Sequence, residues 1–348
     1  MRAWFLLLAA CSRTPTVTPA QAVDADADAH VAAPDAAPEA AAPIHPERAF
    51  ALPPAGECHD DLRCLVEHAY ASDDKARALA LALFDETGDV AGSDHESTMD
   101  GGFRGILHIT PALPTGDVRV QLERVVSAAR DFESFFAKAY PAGAPDTYRY
   151  RELTFRFFRS SSGPRAHEVE RTTPSAYAIG PRPMPQRPDD DISFSLAYNV
   201  KGSLLNSDTG VRETIFHEVF HMNDASHGDW SPRALHADYD AIVKKCGAMN
   251  AAGGTALTSI DACLTPYAPN DTMVRGGTFY AFEPNNGLPV REYAAELALR
   301  WYKEHRALQR HEQLPTGRAF KCGPPENRRA WDAIVKEFFS LDLVPPCP

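Results

Sequence analysis

The chain has few basic residues relative to acidic ones, which narrows the partners it can bind. Lys and Arg number 35 against 47 Asp and Glu, so the formal net charge is −12 at pH 7. Proteins that bind nucleic acids generally present a basic surface, because phosphate contacts supply much of their affinity. We therefore expect no nucleic acid partner. The acidic balance is compatible with a soluble, exported protein.

Signatures of several common functional sites are also missing from the sequence. No serine stands in Gly-x-Ser-x-Gly, and no phosphate-binding glycine loop occurs. No pair of cysteines has the close Cys-x-x-Cys spacing of a zinc finger or a thioredoxin-like site. Chemistry based on these motifs is therefore not expected.

The N-terminus, residues 1–11, has the pattern of an export signal. Arg2 supplies a positive charge, residues 4–10 form a short apolar run, and small residues lead to Cys11. The run is too short to span a bilayer, which needs about 20 apolar residues. Residues 8–11 resemble a bacterial lipobox, which implies a lipid anchor at Cys11 as the only membrane attachment, and a location in the bacterial cell envelope or outside the cell. An ordinary secretory signal or a buried N-terminal segment is the alternative.

Residues 12–55 are rich in Ala, Pro, Asp and Thr, with no Lys or Arg between Arg13 and Arg48. Such a segment cannot bury enough apolar area to offset the entropy lost on ordering it. We predict a disordered tether that lets a folded domain, residues 56–348, stand off a membrane. That domain has roughly 290 residues, enough for one large or two-lobed unit with its own core.

Seven cysteines are present, and six remain if Cys11 carries a lipid. An even number of cysteines in an exported chain favours disulfides. Neighbours along the sequence favour three pairs: Cys58–Cys64, Cys246–Cys263 and Cys322–Cys347. Six cysteines allow other pairings as well.

The apolar periodicity of the chain predicts an α+β fold. Helical patterns lie at 58–84, 118–140 and 289–305, and a final helix is expected at 331–341. Patterns typical of strands lie at 104–110, 148–158, 169–179 and 191–200. The last of these alternates as a half-buried strand does, and the polar, glycine-containing stretch 85–102 favours a loop.

One further helical stretch, 214–224, contains His217-Glu218-x-x-His221. Residues four apart lie on one face of a helix, so both imidazoles can reach a single metal ion. Glu218 is then placed to take a proton from a water bound to that metal. The plainer alternative is a buried helix with two incidental histidines. We predict a Zn2+ site in which His217 and His221 are ligands and Glu218 is the catalytic base.

The order of elements around this helix resembles the zincin metallopeptidases. A long helix on a twisted sheet, a last strand and then a His-Glu-x-x-His helix is similar to the upper lobe of that family. The resemblance implies a mixed, twisted sheet in that lobe, a mainly helical lower lobe, and hydrolysis of peptide bonds by a zinc-activated water. In zincins the last strand before the metal helix is usually the sheet edge that lines the cleft. This implies that Ser193–Asn199 offers its backbone to a peptide or protein substrate, although a simple core strand fits its residues equally well.

A catalytic zinc normally takes three protein ligands, and two residues compete for the third place. Residues 292–296 resemble the Glu-aromatic-x-Ala-Glu segment of the anthrax lethal factor-like peptidases, which are gluzincins. The resemblance implies Glu292 as the zinc ligand and Glu296 as a hydrogen-bond partner of the first histidine, His217. Tyr280 stands roughly where that family has a tyrosine, but farther from Glu292 than in the family pattern. A solvated helix face is the alternative for Glu292 and Glu296.

The competing ligand is His227, six residues after His221. The spacing from His217 through His221 to His227 resembles the metzincin pattern, except that Asp224 stands where that family usually has glycine. A sharp turn is needed there, and Asp adopts a positive φ less readily than Gly. We expect Asp224 to act at the end of the helix or beside the site, not as a ligand.

The predicted activity is that of an exported, lipid-anchored zinc endopeptidase. Glu218 would act as general base, and either Tyr280 or His227 would stabilise the oxyanion. The alternative is a non-catalytic surface lipoprotein that keeps a zincin fold to bind a partner. Glu218 argues against that alternative, because a purely structural zinc site needs no base.

Overall fold

The computed structural model describes residue 48 and the ranges 51–59, 61–100, 106–161, 176–179, 194–251, 262–273, 278–283 and 289–348. The expected signal at 1–11 and most of the expected tether lie outside the described residues. Among the helices that are described, none has the length and apolar character needed to cross a membrane.

The described part of the chain is α+β, as predicted. Its α-helices are α1 (Leu62–Ala69), α2 (Asp74–Thr87), α3 (Arg119–Ala139), α4 (Asp208–Ser226), α5 (Trp230–Ala234), α6 (His236–Ala251), α7 (Pro289–Gln309) and α8 (Pro325–Ile334). Its strands are β1 (Val90–Ser93), β2 (Ser97–Asp100), β3 (Ile106–Pro111), β4 (Thr154–Ser161), β5 (Ala176–Ile179) and β6 (Ser195–Asn199).

The strands form one mixed sheet with β4 in its interior. On one side β4 pairs with β1 in parallel along its first half and with β3 antiparallel along its second half. On the other side it pairs in parallel with β6, and β6 pairs antiparallel with β5. The strand before α4 is therefore internal, and all five of its residues are buried. The expectations of a half-buried strand and of a sheet edge at Ser193–Asn199 are both wrong, because β5 covers β6.

Several predicted boundaries also change. The stretch 85–102 is not a loop, since it contains β1 and β2. The single helix expected at 58–84 is two helices, because Asp73 caps α2 by accepting a hydrogen bond from the amide of Ala76. The strand expected at 148–158 begins only at Thr154. Of the stretch 169–179, only β5 lies within the described residues.

The folded domain begins before residue 56. Ala51, Leu52 and Ala55 are buried, and the amide of Ser93 donates to the carbonyl of Ala51 over 2.7 Å. A Cβ at Gly92 would lie 2.1 Å from that carbonyl oxygen, so only glycine allows this close approach. The last residues of the expected tether at 12–55 are therefore packed against β1, because their few apolar side chains are buried in the core.

The three predicted disulfides are confirmed. The Cα–Cα distances are 5.3 Å for Cys58–Cys64, 5.6 Å for Cys246–Cys263 and 5.3 Å for Cys322–Cys347. Each bond closes a short loop, of at most 25 residues of sequence separation. Such bonds stabilise the fold mainly by restricting the unfolded chain.

Aromatic side chains join α3, α4 and α7 in the core. Phe216 of α4 stacks on Tyr302 of α7, with ring centroids 4.5 Å apart. Phe132 of α3 meets both rings edge-on, at 5.8 Å and 5.7 Å. Aromatic pairs of this kind bury large areas and prefer defined geometries. Because Phe216 directly precedes His217, this packing determines which face of α4 is turned toward α7.

The core also contains a neutral histidine that links α7 to the C-terminal residues. His305 is fully buried, and its Nδ1 lies 2.8 Å from the carbonyl of Trp301. Its Nε2 accepts a hydrogen bond from the amide of Leu343 over 3.0 Å. Burial lowers the pKa of His305 to about 4, since a charged imidazole would lose hydration and the Leu343 contact.

This histidine predicts a loss of stability in acid. In the unfolded chain His305 gains a proton below about pH 6.5, whereas in the folded protein it does so only below about pH 4. Between these values the unfolded state binds more protons, so the free energy of unfolding falls as pH falls, by about 3 kcal/mol at most. Chemical denaturation at pH 4 to 7 should show a shallower pH dependence for His305→Gln than for the unmodified protein. The exposed histidine variant His236→Gln is the control, and equal slopes in all three proteins would contradict this role of His305.

Candidate metal centre

Helix α4 presents both histidines of the His-Glu-x-x-His motif on the face turned toward α7. The helix starts at Ser207, whose hydroxyl accepts a hydrogen bond from the amide of Gly210 over 3.1 Å. It continues without a break to Ser226, so His217 and His221 lie one turn apart as predicted. Their side chains are only 8% and 16% exposed.

Glu292 of α7 joins the two histidines, as the resemblance to gluzincins implied. Its Oε2 lies 3.1 Å from Nε2 of His217 and 3.4 Å from Nε2 of His221, and the two Nε2 atoms are 3.1 Å apart. Three ligands placed tetrahedrally at zinc's bond lengths would be about 3.3 Å from one another. The cluster could therefore hold a metal ion with little movement of its donor atoms.

Glu292 reaches this position because α7 packs along α4, although 75 residues separate it from His217. Burial raises the pKa of Glu292, but the imidazoles of His221 and His217 outweigh that effect and hold the pKa well below its usual range. The side chains of Glu292 and Glu296 are 18% and 5% exposed. The alternative of a solvated helix face at these residues is therefore wrong.

Glu296 lies behind His217, on the side away from the cluster. Its Oε1 is 3.3 Å from Nδ1 of His217. Burial lowers the pKa of His217, while Glu292 and Glu296 raise it by more, so the net shift is upward. A carboxylate that accepts from Nδ1–H favours the tautomer whose Nε2 lone pair points at the cluster. The resemblance to gluzincins implied this contact between Glu296 and His217.

Glu218 projects toward the edge of the sheet. Its Oε2 accepts a hydrogen bond from the amide of Ala178 in β5 over 2.9 Å. Burial raises the pKa of Glu218, and the imidazoles of His217 and His221 oppose this rise. A carboxylate with a raised pKa beside two imidazoles is well suited to accept and return a proton.

Tyr280 also lies at the cluster. It belongs to a 3₁₀ turn, Tyr280–Phe282, and its ring centroid is 5.8 Å from that of His217. Burial, and next the negative charge of Glu292, raise the pKa of the Tyr280 phenol above its usual value. The phenol therefore keeps its proton and can donate a hydrogen bond in the site.

His227, the competing ligand, lies outside the cluster formed by His217, His221 and Glu292 in the described chain. It follows the last residue of α4, with Nδ1 2.8 Å from a carboxylate oxygen of Glu337 and Nε2 3.1 Å from the carbonyl of Thr147. Both ring nitrogens thus face other partners. His227 therefore does not complete the cluster, and the structure does not form the metzincin arrangement.

Asp224 acts at the end of the helix, as expected. Its carboxylate accepts hydrogen bonds from the amide and the hydroxyl of Ser231, over 2.7 Å and 2.6 Å. These contacts anchor the first turn of α5 to the last turn of α4.

Three residues near the site had no signal in the sequence. Asn223 bonds to both the amide and the carbonyl of Arg149, over 2.8 Å and 2.9 Å, and so ties α4 to the segment before β4. Asn270 and Thr272 contact Glu296. Asn223 lies in α4 but outside the His-Glu-x-x-His motif, and Asn270 and Thr272 lie in an irregular segment, so only the three-dimensional contacts reveal these residues.

The geometry of the cluster predicts that metal binding depends on Glu292 and not on His227. Glu292→Ala should weaken binding of Zn2+ because it removes a ligand. The loss should exceed the roughly 10–100-fold that is typical when a residue that only hydrogen-bonds to a ligand is replaced. His227→Ala is the matched comparison and should bind Zn2+ within about threefold of the unmodified protein. Competition against a chromophoric chelator measures both affinities. Retention of Zn2+ by Glu292→Ala together with loss by His227→Ala would reverse the assignment.

Comparisons of the chain with models of known protein families, with curated proteins and with solved structures found no match. The interpretation of this site therefore depends on its own geometry. Within the described residues, His217, His221 and Glu292 form a group of side chains that could bind a metal ion.

Proposed function

We propose that this protein is a zinc-dependent endopeptidase of the gluzincin type. The observation that carries this proposal is the convergence of His217, His221 and Glu292, with Glu218 directly beside them. We further infer a zincin-like arrangement, in which the sheet with α3 and α4 corresponds to an upper lobe and α6 to α8 to a mainly helical lower lobe. Export, and attachment through a lipid on Cys11, remain part of the proposal.

Zinc is the ion that suits this set of donors. Two imidazole nitrogens and one carboxylate oxygen match the ligand set of several catalytic zinc sites, which leave a fourth position open. Mg2+ and Ca2+ prefer sites built mainly from oxygen ligands. When bound, zinc supplies Lewis acidity, which polarises a carbonyl group and lowers the pKa of water at the site.

Glu218 would carry the proton in this reaction. Its raised pKa and its position beside His217 and His221 support a role as general base toward the attacking water. The same carboxyl group would then return that proton to the leaving amine. The hydrogen bond from the amide of Ala178 holds one oxygen, Oε2, and leaves the other to exchange the proton.

Tyr280 would stabilise the charge that develops on the carbonyl oxygen. The phenol keeps its proton at neutral pH, since burial and Glu292 raise its pKa. A preorganised donor in a partly buried site stabilises a developing oxyanion more than water does. His227, whose ring nitrogens face Glu337 and Thr147, is not needed for this role.

The substrate would be an extended peptide that pairs with β5 instead of β6. Strand β5 has β6 on one side, and the amide of Ala178 points away from β6, to Glu218. Of the described strands, β5 is the outermost on this side of the sheet, and the backbone of an outermost strand is suited to pairing with another chain. A peptide aligned there would pass next to Glu218 and the three proposed ligands.

The test separates zinc binding from catalysis. Glu218→Gln should bind zinc within about threefold of the unmodified protein but lose peptidase activity about 10²–10⁴-fold, because the amide cannot accept the proton. Cleavage of a peptide library, followed by mass spectrometry, measures the activity. Glu213→Gln, on the same helix and half-buried beside Lys303, is the matched control and should stay active. A protein that binds zinc but cleaves no peptide, whether Glu218 is intact or not, would instead be a binding protein.

A further inference from the structure

A short segment, Asn270–Met273, lies between the buried carboxylate of Glu296 and the backbone of Tyr280. The side chain of Asn270 is buried, and its Nδ2 donates to two oxygens of Glu296: the carbonyl oxygen at 2.8 Å and Oε2 at 2.9 Å. Both of these atoms can only accept hydrogen bonds. The orientation of the Asn270 amide group is therefore determined by its partners.

Thr272 makes a second connection within the same segment. Its hydroxyl lies 3.4 Å from Oε2 of Glu296, and its carbonyl accepts a hydrogen bond from the amide of Tyr280 over 2.8 Å. Thr272 thus contacts both Glu296, which lies behind His217, and Tyr280, which lies beside it.

The chain just before Asn270 is held firmly. A guanidinium nitrogen of Arg300 donates to the carbonyl of Pro269 over 3.1 Å, and Arg300 itself is buried and paired with Glu304 at 2.6 Å. Asn327 donates to the carbonyl of Pro266 over 2.9 Å. Asn270 is therefore presented to Glu296 from a fixed backbone.

We propose that Asn270 is a positioning residue for the metal centre, acting through Glu296 and His217. By holding Oε2 of Glu296, it keeps Oε1 against Nδ1 of His217 and so directs Nε2 of His217 at the ligand cluster. The inference rests on the proposed zinc site and deepens it. It adds the contact between Asn270 and Glu296 to the contact between Glu296 and His217.

The contact with Asn270 is needed because the carboxylate of Glu296 can otherwise rotate about its terminal torsion. The terminal torsion of a glutamate is broad, so a single contact with His217 does not fix the plane of the Glu296 carboxylate. A hydrogen bond to a charged acceptor is among the stronger ones in a protein. Two donors on Oε2, one of them Asn270, restrict the rotation and leave Oε1 facing the imidazole.

The test measures metal affinity, which does not depend on turnover. Asn270→Ala should lower the affinity for Zn2+ about tenfold, as loss of an outer-shell partner does. Asn270→Asp should lower it further, because it replaces the donor with a second carboxylate beside Glu296. Gln121→Ala is the matched control. It removes another buried side-chain amide, which is hydrogen-bonded to Val200 and Tyr198 and not to the proposed ligands. This control should bind Zn2+ as the unmodified protein does.

A second readout separates positioning from general stability. With Co2+ in place of Zn2+, the visible absorption bands report the geometry of the ligands. These bands should shift in Asn270→Ala and Asn270→Asp but not in Gln121→Ala, even if all three variants lose thermal stability. Equal Zn2+ affinities and unchanged Co2+ spectra in folded Asn270 variants would overturn the inference.

If the Asn270 variants do not fold, Thr272→Val decides the question, because Thr272 is exposed and the substitution removes only the second donor to Oε2. A two- to fivefold weaker Zn2+ affinity, about what the lower part of the usual net contribution of one hydrogen bond predicts, would support the inference, and an unchanged affinity would overturn it. Failure of the unmodified protein to bind Zn2+ would be a different result. It would overturn the proposed function, and this inference with it.

Discussion

The packing of α4 against α7 is the constraint on which the candidate metal centre depends. It places Glu292 and Glu296 on either side of the His217 ring, while Glu218 lies on the neighbouring position of α4. Three carboxylates around two imidazoles concentrate negative charge in a site that is largely removed from water. Buried charge is costly unless an opposite charge compensates it. A divalent cation between these groups provides that compensation, and this is the electrostatic reason to interpret the cluster as a metal site.

Apolar packing contributes to holding the two helices at this distance. Phe216, the residue before His217, stacks on Tyr302 of α7, and Phe132 of α3 meets both rings. Closely packed protein interiors adjust little when a neighbour changes. The donor atoms are therefore preorganised by side chains that take no part in the chemistry, which is a general requirement for precise metal sites.

Regular spacing made part of this architecture predictable from the sequence. The pairs His217 with His221 and Glu292 with Glu296 are four residues apart, so helical geometry alone places each pair on one face. Strands β1 and β2 were not predictable, because each has only four residues with no clear alternation, and their pairing with β4 and β3 is what makes them strands. The internal position of β6 depends on β5, which a local pattern cannot reveal. Asn270 belongs to no sequence motif, and only its hydrogen bond to Glu296 in the folded protein points to a role for it.

The order in which parts of the site occur along the chain has a consequence for biosynthesis. The carboxylate of Glu337 holds His227, 110 residues earlier, and the carbonyl of Phe338 accepts a hydrogen bond from Thr147, 191 residues earlier. Contacts of such long range form late, since the loops between them must close first. During synthesis the His-Glu-x-x-His helix emerges well before Glu292. A chain that has not yet emerged as far as Glu292 lacks one of the three residues of the cluster, so the candidate centre cannot assemble before that point. The contacts of Glu337 and Phe338 can form only later still.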